Sequence, residues 1–137
     1  MRMILIATIS SLLLAGAAHA ANVTSIAQFG FAQTQNTVQE GNYNGAGTLQ
    51  VGSLQASSTR QGGYYNTAIT QQAGVGQLSV TEQFGLTNQL PGINNNAVTV
   101  QFGALQSSTT AQYGANNYSS TTQVGVGQHS TVTQIGF

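Results

Sequence analysis

Recurring small and polar residues alternate with variable, often apolar residues along most of the chain. Residues 66–74 carry Asn, Ala, Thr, Gln and Gly at every second position, and residues 77–85 carry Gln, Ser, Thr, Gln and Gly in the same way. A period of two is typical of β-strands, whose successive side chains point to opposite faces. The two residues after each glycine shift the alternation, which indicates a corner where glycine accepts a positive φ. The sequence therefore predicts pairs of short strands joined by tight corners.

These segments belong to an internal repeat marked by the motif Gln-x-Gly, which recurs every 11 residues with one longer interval after the sixth copy. Its glutamines are Gln28, Gln39, Gln50, Gln61, Gln72, Gln83, Gln101, Gln112, Gln123 and Gln134. Its glycines, predicted to form the turns, are Gly30, Gly41, Gly52, Gly63, Gly74, Gly85, Gly103, Gly114, Gly125 and Gly136. The residue five positions after the motif glutamine alternates between Gln and Asn, so the full period is 22 residues.

Five units of this period fill residues 21–137. The units are 22–43, 44–65, 66–87, 95–116 and 117–137. Residues 88–94 are an insertion between the third and fourth units, and they contain Leu90-Pro91-Gly92. Proline lacks the N–H that a strand ladder needs, so we expect the insertion to turn outward between two units.

One unit of two strands cannot cover its own surface, but stacked units about 4.8 Å apart pair their backbones. The predicted fold is all-β, a β-solenoid of five stacked coils that becomes cross-β on polymerisation. Stacking in register places identical amides over one another, where they form hydrogen-bonded ladders. The predicted ladders consist of the ten motif glutamines together with Asn44, Asn66, Asn95 and Asn117. We expect this recurring face to point inward, because a buried amide needs a partner that only strict register guarantees.

Only one segment is continuously apolar, and it lies at the N-terminus. Arg2 precedes the apolar stretch 3–14, and Ala18-His19-Ala20 provides a small-x-small cleavage site. These features predict a signal peptide over residues 1–20, and hence a secreted protein. The chain contains no cysteine, so no disulfide contributes to its stability.

Charged residues make up 3% of the chain, which argues against a nucleic-acid-binding protein or an enzyme. No catalytic, cofactor or metal site is predicted, and His129 is expected on the surface. Beyond the signal peptide the charges are Glu40, Arg60 and Glu82. Arg60 and Glu82 occupy equivalent positions in neighbouring units, with Glu40 diagonal to Arg60. They form either an axial ion-pair column or a set of solvated charges.

The unit resembles the curlin repeat, S-x5-Q-x-G-x2-N-x-A-x3-Q. Three segments fit its second half, namely Asn44-x-Ala46-x3-Gln50, Asn66-x-Ala68-x3-Gln72 and Asn95-x-Ala97-x3-Gln101. Two features depart from it: glutamine stands in place of the leading Ser in every unit, and Ser119 stands where Ala is usual. The resemblance implies a subunit of extracellular functional amyloid, exported through the periplasm and polymerised at the cell surface for biofilm matrix, adhesion and aggregation. It also implies as partners other copies of the chain, a nucleator paralogue, an outer-membrane channel and a periplasmic chaperone.

Two alternatives remain open at this point. The chain could be the nucleator of such a fibre rather than its main subunit. It could also be a soluble β-solenoid that binds ice or carbohydrate through a regular row of threonines. That row is Thr48, Thr59, Thr70, Thr81, Thr99, Thr110 and Thr121.

Overall fold

The computed structural model describes residues 22–85 and 94–136, which form ten β-strands. The strands are β1 (Val23–Phe31), β2 (Thr34–Asn42), β3 (Gly45–Ser53), β4 (Ala56–Tyr64), β5 (Asn66–Val75), β6 (Leu78–Gly85), β7 (Asn95–Ala104), β8 (Ser107–Gly114), β9 (Tyr118–Val126) and β10 (His129–Ile135). They form two five-stranded sheets, one of odd-numbered and one of even-numbered strands. Every pair of neighbouring strands is parallel. Within these residues there is no helix long and apolar enough to cross a membrane.

The pairing register follows the repeat. Val23 pairs with Gly45, 22 residues later, and the same offset holds throughout the first three coils. Across the insertion the offset becomes 29, so that Asn66 pairs with Asn95. The predicted β-solenoid of five coils is therefore confirmed. The predicted signal peptide (1–20) and residues 88–93 of the insertion lie outside the described residues.

The interior of the solenoid consists of the recurring polar face, as predicted. Gln50, Gln61, Gln83 and Gln101 are 0% exposed. Among the described residues, the buried apolar side chains are only alanines, at positions 46, 68, 97 and 115. Large apolar side chains point outward instead, as Phe29 does at 57% exposure. Hydrogen bonds between amides therefore take the place of apolar packing as the main interaction in this core.

The corners of the coils use two residues with positive φ. The first is the motif glycine, with φ between 98° and 143° at eight positions: Gly30, Gly41, Gly52, Gly63, Gly74, Gly103, Gly114 and Gly125. The prediction of positive φ is wrong for Gly85 and Gly136. Gly85 ends β6 just before the undescribed segment, and Gly136 follows the last strand.

The second corner residue lies two positions after the glycine and adopts the left-handed region. It is Gly76 or Gly127 in two corners, with φ of 67° and 68°. In six others it is Ala32, Tyr43, Leu54, Tyr65, Leu105 or Asn116, with φ between 53° and 58°. For most L-residues this conformation costs about 1–2 kcal/mol, so the stacking of neighbouring coils imposes it.

This strain gives a prediction at Leu54, whose side chain is 61% exposed and contributes little packing. Leu54→Gly should raise the free energy of unfolding by about 0.5–1 kcal/mol, because glycine adopts a φ of 55° without strain. Leu49→Gly, in the regular part of β3, should lower it by a similar amount. Guanidinium denaturation of both variants tests the pair. Loss of stability in Leu54→Gly would show that the leucine side chain matters more than its backbone.

Candidate functional site

The central feature of the structure is three glutamine ladders that run the length of the stack. In each ladder the side-chain Nε2 of one coil donates to the Oε1 of the next coil, at distances between 2.6 and 3.5 Å. The first ladder joins Gln28, Gln50, Gln72, Gln101 and Gln123. The second ladder joins Gln39, Gln61, Gln83, Gln112 and Gln134. The ten predicted glutamines thus form two continuous ladders.

The third ladder joins Gln33, Gln55, Gln77, Gln106 and Gln128. These glutamines stand at the position of the leading Ser of the curlin repeat, and they are not among the ladder residues predicted from the sequence. Gln55 and Gln77 are each 1% exposed, so they belong to the core as fully as the motif glutamines. The signal was present in the sequence, because this glutamine recurs with the same 22-residue period.

A second bond from every ladder nitrogen except that of Gln28 fixes the orientation of the amide. Gln61 Nε2 donates to the backbone oxygen of Gly45 at 3.0 Å, and Gln83 Nε2 donates to that of Thr67 at 3.0 Å. Gln55 Nε2 likewise donates to Val51 O at 3.0 Å. A reversed amide would bring its oxygen against a carbonyl oxygen. The direction of the ladders is therefore set by the backbone.

The asparagine ladder runs in the opposite direction and is interrupted once. Asn66 Nδ2 donates to Asn44 Oδ1 at 3.0 Å, and Asn117 Nδ2 donates to Asn95 Oδ1 at 3.1 Å. Asn22, which was not predicted as a ladder residue, accepts from the backbone N–H of Asn44 at 3.0 Å. At the insertion Asn66 Oδ1 is buried without a partner among the described residues. The three glutamine ladders continue without a break between the coils on either side of the insertion.

The three charged side chains all lie on the even-strand sheet. Arg60 pairs with Glu82 in register, as predicted, and Glu40 is opposite Gly62, which places it diagonally from Arg60. The described residues contain no salt bridge between Arg60 and either glutamate. The Arg60 guanidinium instead lies 5.6 Å from the centre of the Phe84 ring. The register of the proposed column is therefore present, but its ion pairs are not.

Reversal of this charge should have a small, salt-dependent effect. Arg60→Glu places two carboxylates opposite each other on adjacent strands and removes the contact with Phe84, so we expect a loss of about 0.5–1 kcal/mol. The double variant Arg60→Glu with Glu82→Arg should recover the part of the stability that is lost through repulsion between the two carboxylates. Denaturation at low salt and at about 1 M NaCl separates the two contributions, because salt screens only the charge term.

The ends of the stack present unpaired strand edges. Within residues 22–85 and 94–136, β1 and β2 have a neighbouring strand on one side only, and so do β9 and β10. In a parallel sheet, alternate residues direct both backbone groups to the same neighbour. Residues whose side chains face outward bond through their backbone to the following coil, as Val23 N–H donates to Asn44 O at 2.8 Å. Every second residue of these four strands therefore has backbone groups directed out of the described stack.

The outer faces of the two sheets differ in chemistry. The odd-strand sheet carries no charged residue on its described outer face, and it carries an exposed apolar column. In register, this column comprises Phe29, Val51, Ala73, Phe102 and Val124. The threonine row lies inside, as expected for the recurring face, with Thr70 and Thr99 each 1% exposed. A flat ligand therefore cannot reach these threonines from outside the folded solenoid.

His129 is exposed, as predicted, and its ring nitrogen lies 3.3 Å from Thr131 Oγ1. No group of three metal-binding side chains occurs in the part of the chain that the structure covers. The ladders and the strand edges are the most regular features of the described residues. No protein-family model, curated protein or solved structure matches this chain.

Proposed function

We propose that the protein is the structural subunit of an extracellular fibre of the curli type, which grows by end-to-end stacking of solenoids. The observation that carries the proposal is the continuity of the ladders. The glutamine bonds and the parallel pairing reach the first and last described coils without a change of residue type or register. Another copy of the chain offers the same spacing and the same side chains, so it extends the pattern.

The energetics of an open edge favour this polymer. Unpaired backbone groups on a strand edge are a template for further strands, and soluble proteins usually protect them with charge or proline. The outer positions of β9 and β10 carry no charge and no proline. A contact between the two unlike ends of one molecule is heterologous and does not close on itself. Such contacts generate filaments rather than small oligomers.

The outer faces also fit a fibre in a biofilm matrix. The uncharged apolar column of the odd-strand sheet remains exposed after the coils stack end to end. Contiguous exposed apolar surface is typical of a surface that contacts other molecules. It would support lateral association of fibres and adhesion. The burial of the threonine row counts against the soluble ice- or carbohydrate-binding alternative.

Assembly of the purified protein after dilution from denaturant tests the proposal. We expect thioflavin T fluorescence to rise after a lag phase, unbranched fibrils by electron microscopy, and loss of the lag when preformed seeds are added. Seeds supply finished coil ends, so they remove the slow formation of the first solenoid. A β-rich monomer that stays soluble for days at the same concentration would contradict the proposal.

A further inference from the structure

We propose that the subunits join in one direction only, with the C-terminal coil donating amide hydrogens to the N-terminal coil of the next copy. At this junction Gln134 donates to Gln39 and Gln123 donates to Gln28 of the next copy. Gln128 donates to Gln33 in the same way, and the 22-residue register continues through the contact. This inference rests on the proposed assembly and adds to it the polarity and the residue pairing of the contact.

The three glutamine ladders all run in the same direction along the stack. All twelve bonds between ladder glutamines have the nitrogen in the earlier coil and the oxygen in the later coil. The orientation is fixed because every ladder nitrogen except that of Gln28 also binds a backbone carbonyl, as Gln112 Nε2 binds Asn96 O at 3.0 Å. A uniform direction over three ladders gives the stack unlike ends.

The N-terminal end presents acceptors. Gln28 and Gln33 use their nitrogens within the stack, and their Oε1 atoms accept no bond from the described residues. Gln39 Oε1 accepts only the Thr24 hydroxyl, at 2.9 Å. Amide oxygens have two lone pairs, so each of the three has capacity for a further donor.

The C-terminal end presents donors. Gln134 Nε2 binds Tyr118 O at 2.6 Å, Gln123 Nε2 binds Ser107 O at 3.1 Å, and Gln128 Nε2 binds Val124 O at 2.8 Å. In each inner coil the second hydrogen of this nitrogen binds the next glutamine. In the last coil, that second hydrogen has no acceptor among the described residues. It points along the axis toward an incoming coil.

The two ends fit each other, and neither end fits itself. Joining two N-terminal ends would place amide oxygens against amide oxygens, and it would also make the strands antiparallel. Joining two C-terminal ends would oppose N–H groups. Buried polar groups without partners are costly, so only the contact between unlike ends satisfies all three ladders.

Complementary charges at Gln39 and Gln134 test the pairing. Gln39→Lys keeps the bond to Gln61 Oε1, because the ammonium also donates, but it replaces the outward acceptor with a donor. Gln134→Glu keeps the bond from Gln112 Nε2 and replaces the outward donor with an acceptor, and it loses the bond to Tyr118 O. Each single variant buries an unpaired charge at the junction and should slow seeded elongation at least about 100-fold. The double variant forms an ion pair there and should elongate within about tenfold of the wild type.

Matched controls carry the same charges on the outer face of the same strands. Asn36→Lys and Thr133→Glu are exposed and should leave elongation within about threefold of the wild type. If the wild type forms no fibres, the proposed function fails. If the wild type forms fibres but the double variant is no faster than the single variants, the polarity and pairing are wrong. Wild-type rates in both single variants would also overturn the pairing.

Seeds of the double variant give a second measurement that does not depend on fibre formation by the single variants. Gold-labelled Gln39→Lys monomers should bind only the seed end that carries the introduced carboxylate. Labelled Gln134→Glu monomers should bind only the opposite end. Electron microscopy should show one labelled end per seed for each variant. Equal labelling of both ends by either variant would contradict the proposed polarity.

Discussion

Gly52→Ala is expected to disrupt the solenoid at its third strand, with a loss of more than about 3 kcal/mol in the free energy of unfolding. Gly52 has a φ of 133°, a region that L-residues almost never adopt. A Cβ at this position would also overlap the backbone carbonyl of Gly74 in the next coil. The carbonyl belongs to the backbone and not to a flexible side chain, so the overlap can be relieved only by moving a whole coil. Circular dichroism should show that the variant folds slowly or not at all. Seeded assembly should be slow or absent for the same reason.

Gly47→Ala is the matched control, because it lies in the same strand on the outer face. A Cβ at Gly47 would meet no atom within 4 Å, and its φ lies outside the left-handed range. Alanine there should leave stability unchanged or raise it by about 0.5 kcal/mol, since glycine has the larger entropy loss on folding. Equal effects of the two substitutions would show that the packing of coils at Gly52 is not as close as the structure gives it.

The period and the buried face of the solenoid could be predicted because stacking repeats one environment many times. Gln50, Gln72 and Gln101 occupy identical surroundings, so the same residue is needed at each, and the repeat records this need. The variable positions face solvent, where many side chains are tolerated. Few folds reveal the direction of their side chains so directly in the sequence.

The corners were less predictable than the strands. The left-handed φ of Leu54 has no local sequence signal, because leucine by itself disfavours it. Contacts between coils impose it, so the second corner residue emerged only from the structure. The third glutamine ladder did have a signal, because Gln55 and its equivalents recur with the 22-residue period. Their equivalence to the leading serine of the curlin repeat left them out of the predicted ladders.

The absence of ion pairs around Arg60 has a similar origin. Register alone brings Arg60 beside Glu82, and the sequence predicts this correctly. Whether the Arg60 guanidinium contacts a carboxylate or an aromatic ring depends on side-chain conformations on an exposed face. Gly62 leaves room for the Phe84 ring, which would contact a Cβ at that position, and the guanidinium lies over this ring. A residue with no side chain thus shapes the surroundings of the charge.

Gln72→Leu is expected to destabilise the solenoid by about 3–6 kcal/mol, although leucine is close to glutamine in size. Gln72 accepts from Gln50 and donates to Gln101, both at 2.8 Å, and it also donates to the backbone oxygen of Ala56. The substitution removes all three bonds in a buried interior, and it leaves Gln50 Nε2 and Gln101 Oε1 without their ladder partners. The energy lost is therefore mainly the desolvation of the partners rather than the value of the bonds themselves.

Gln71→Leu is the control that isolates burial. Gln71 is the neighbouring residue on the exposed face of β5, so its replacement leaves the ladder intact and should change stability by less than about 0.5 kcal/mol. Denaturant titration of the two variants under identical conditions compares the same chemical change on the two faces. A large loss for Gln72→Leu alone would mean that amide ladders hold the coils together. Similar midpoints for both would mean that backbone pairing suffices, and that the glutamines serve mainly to set register.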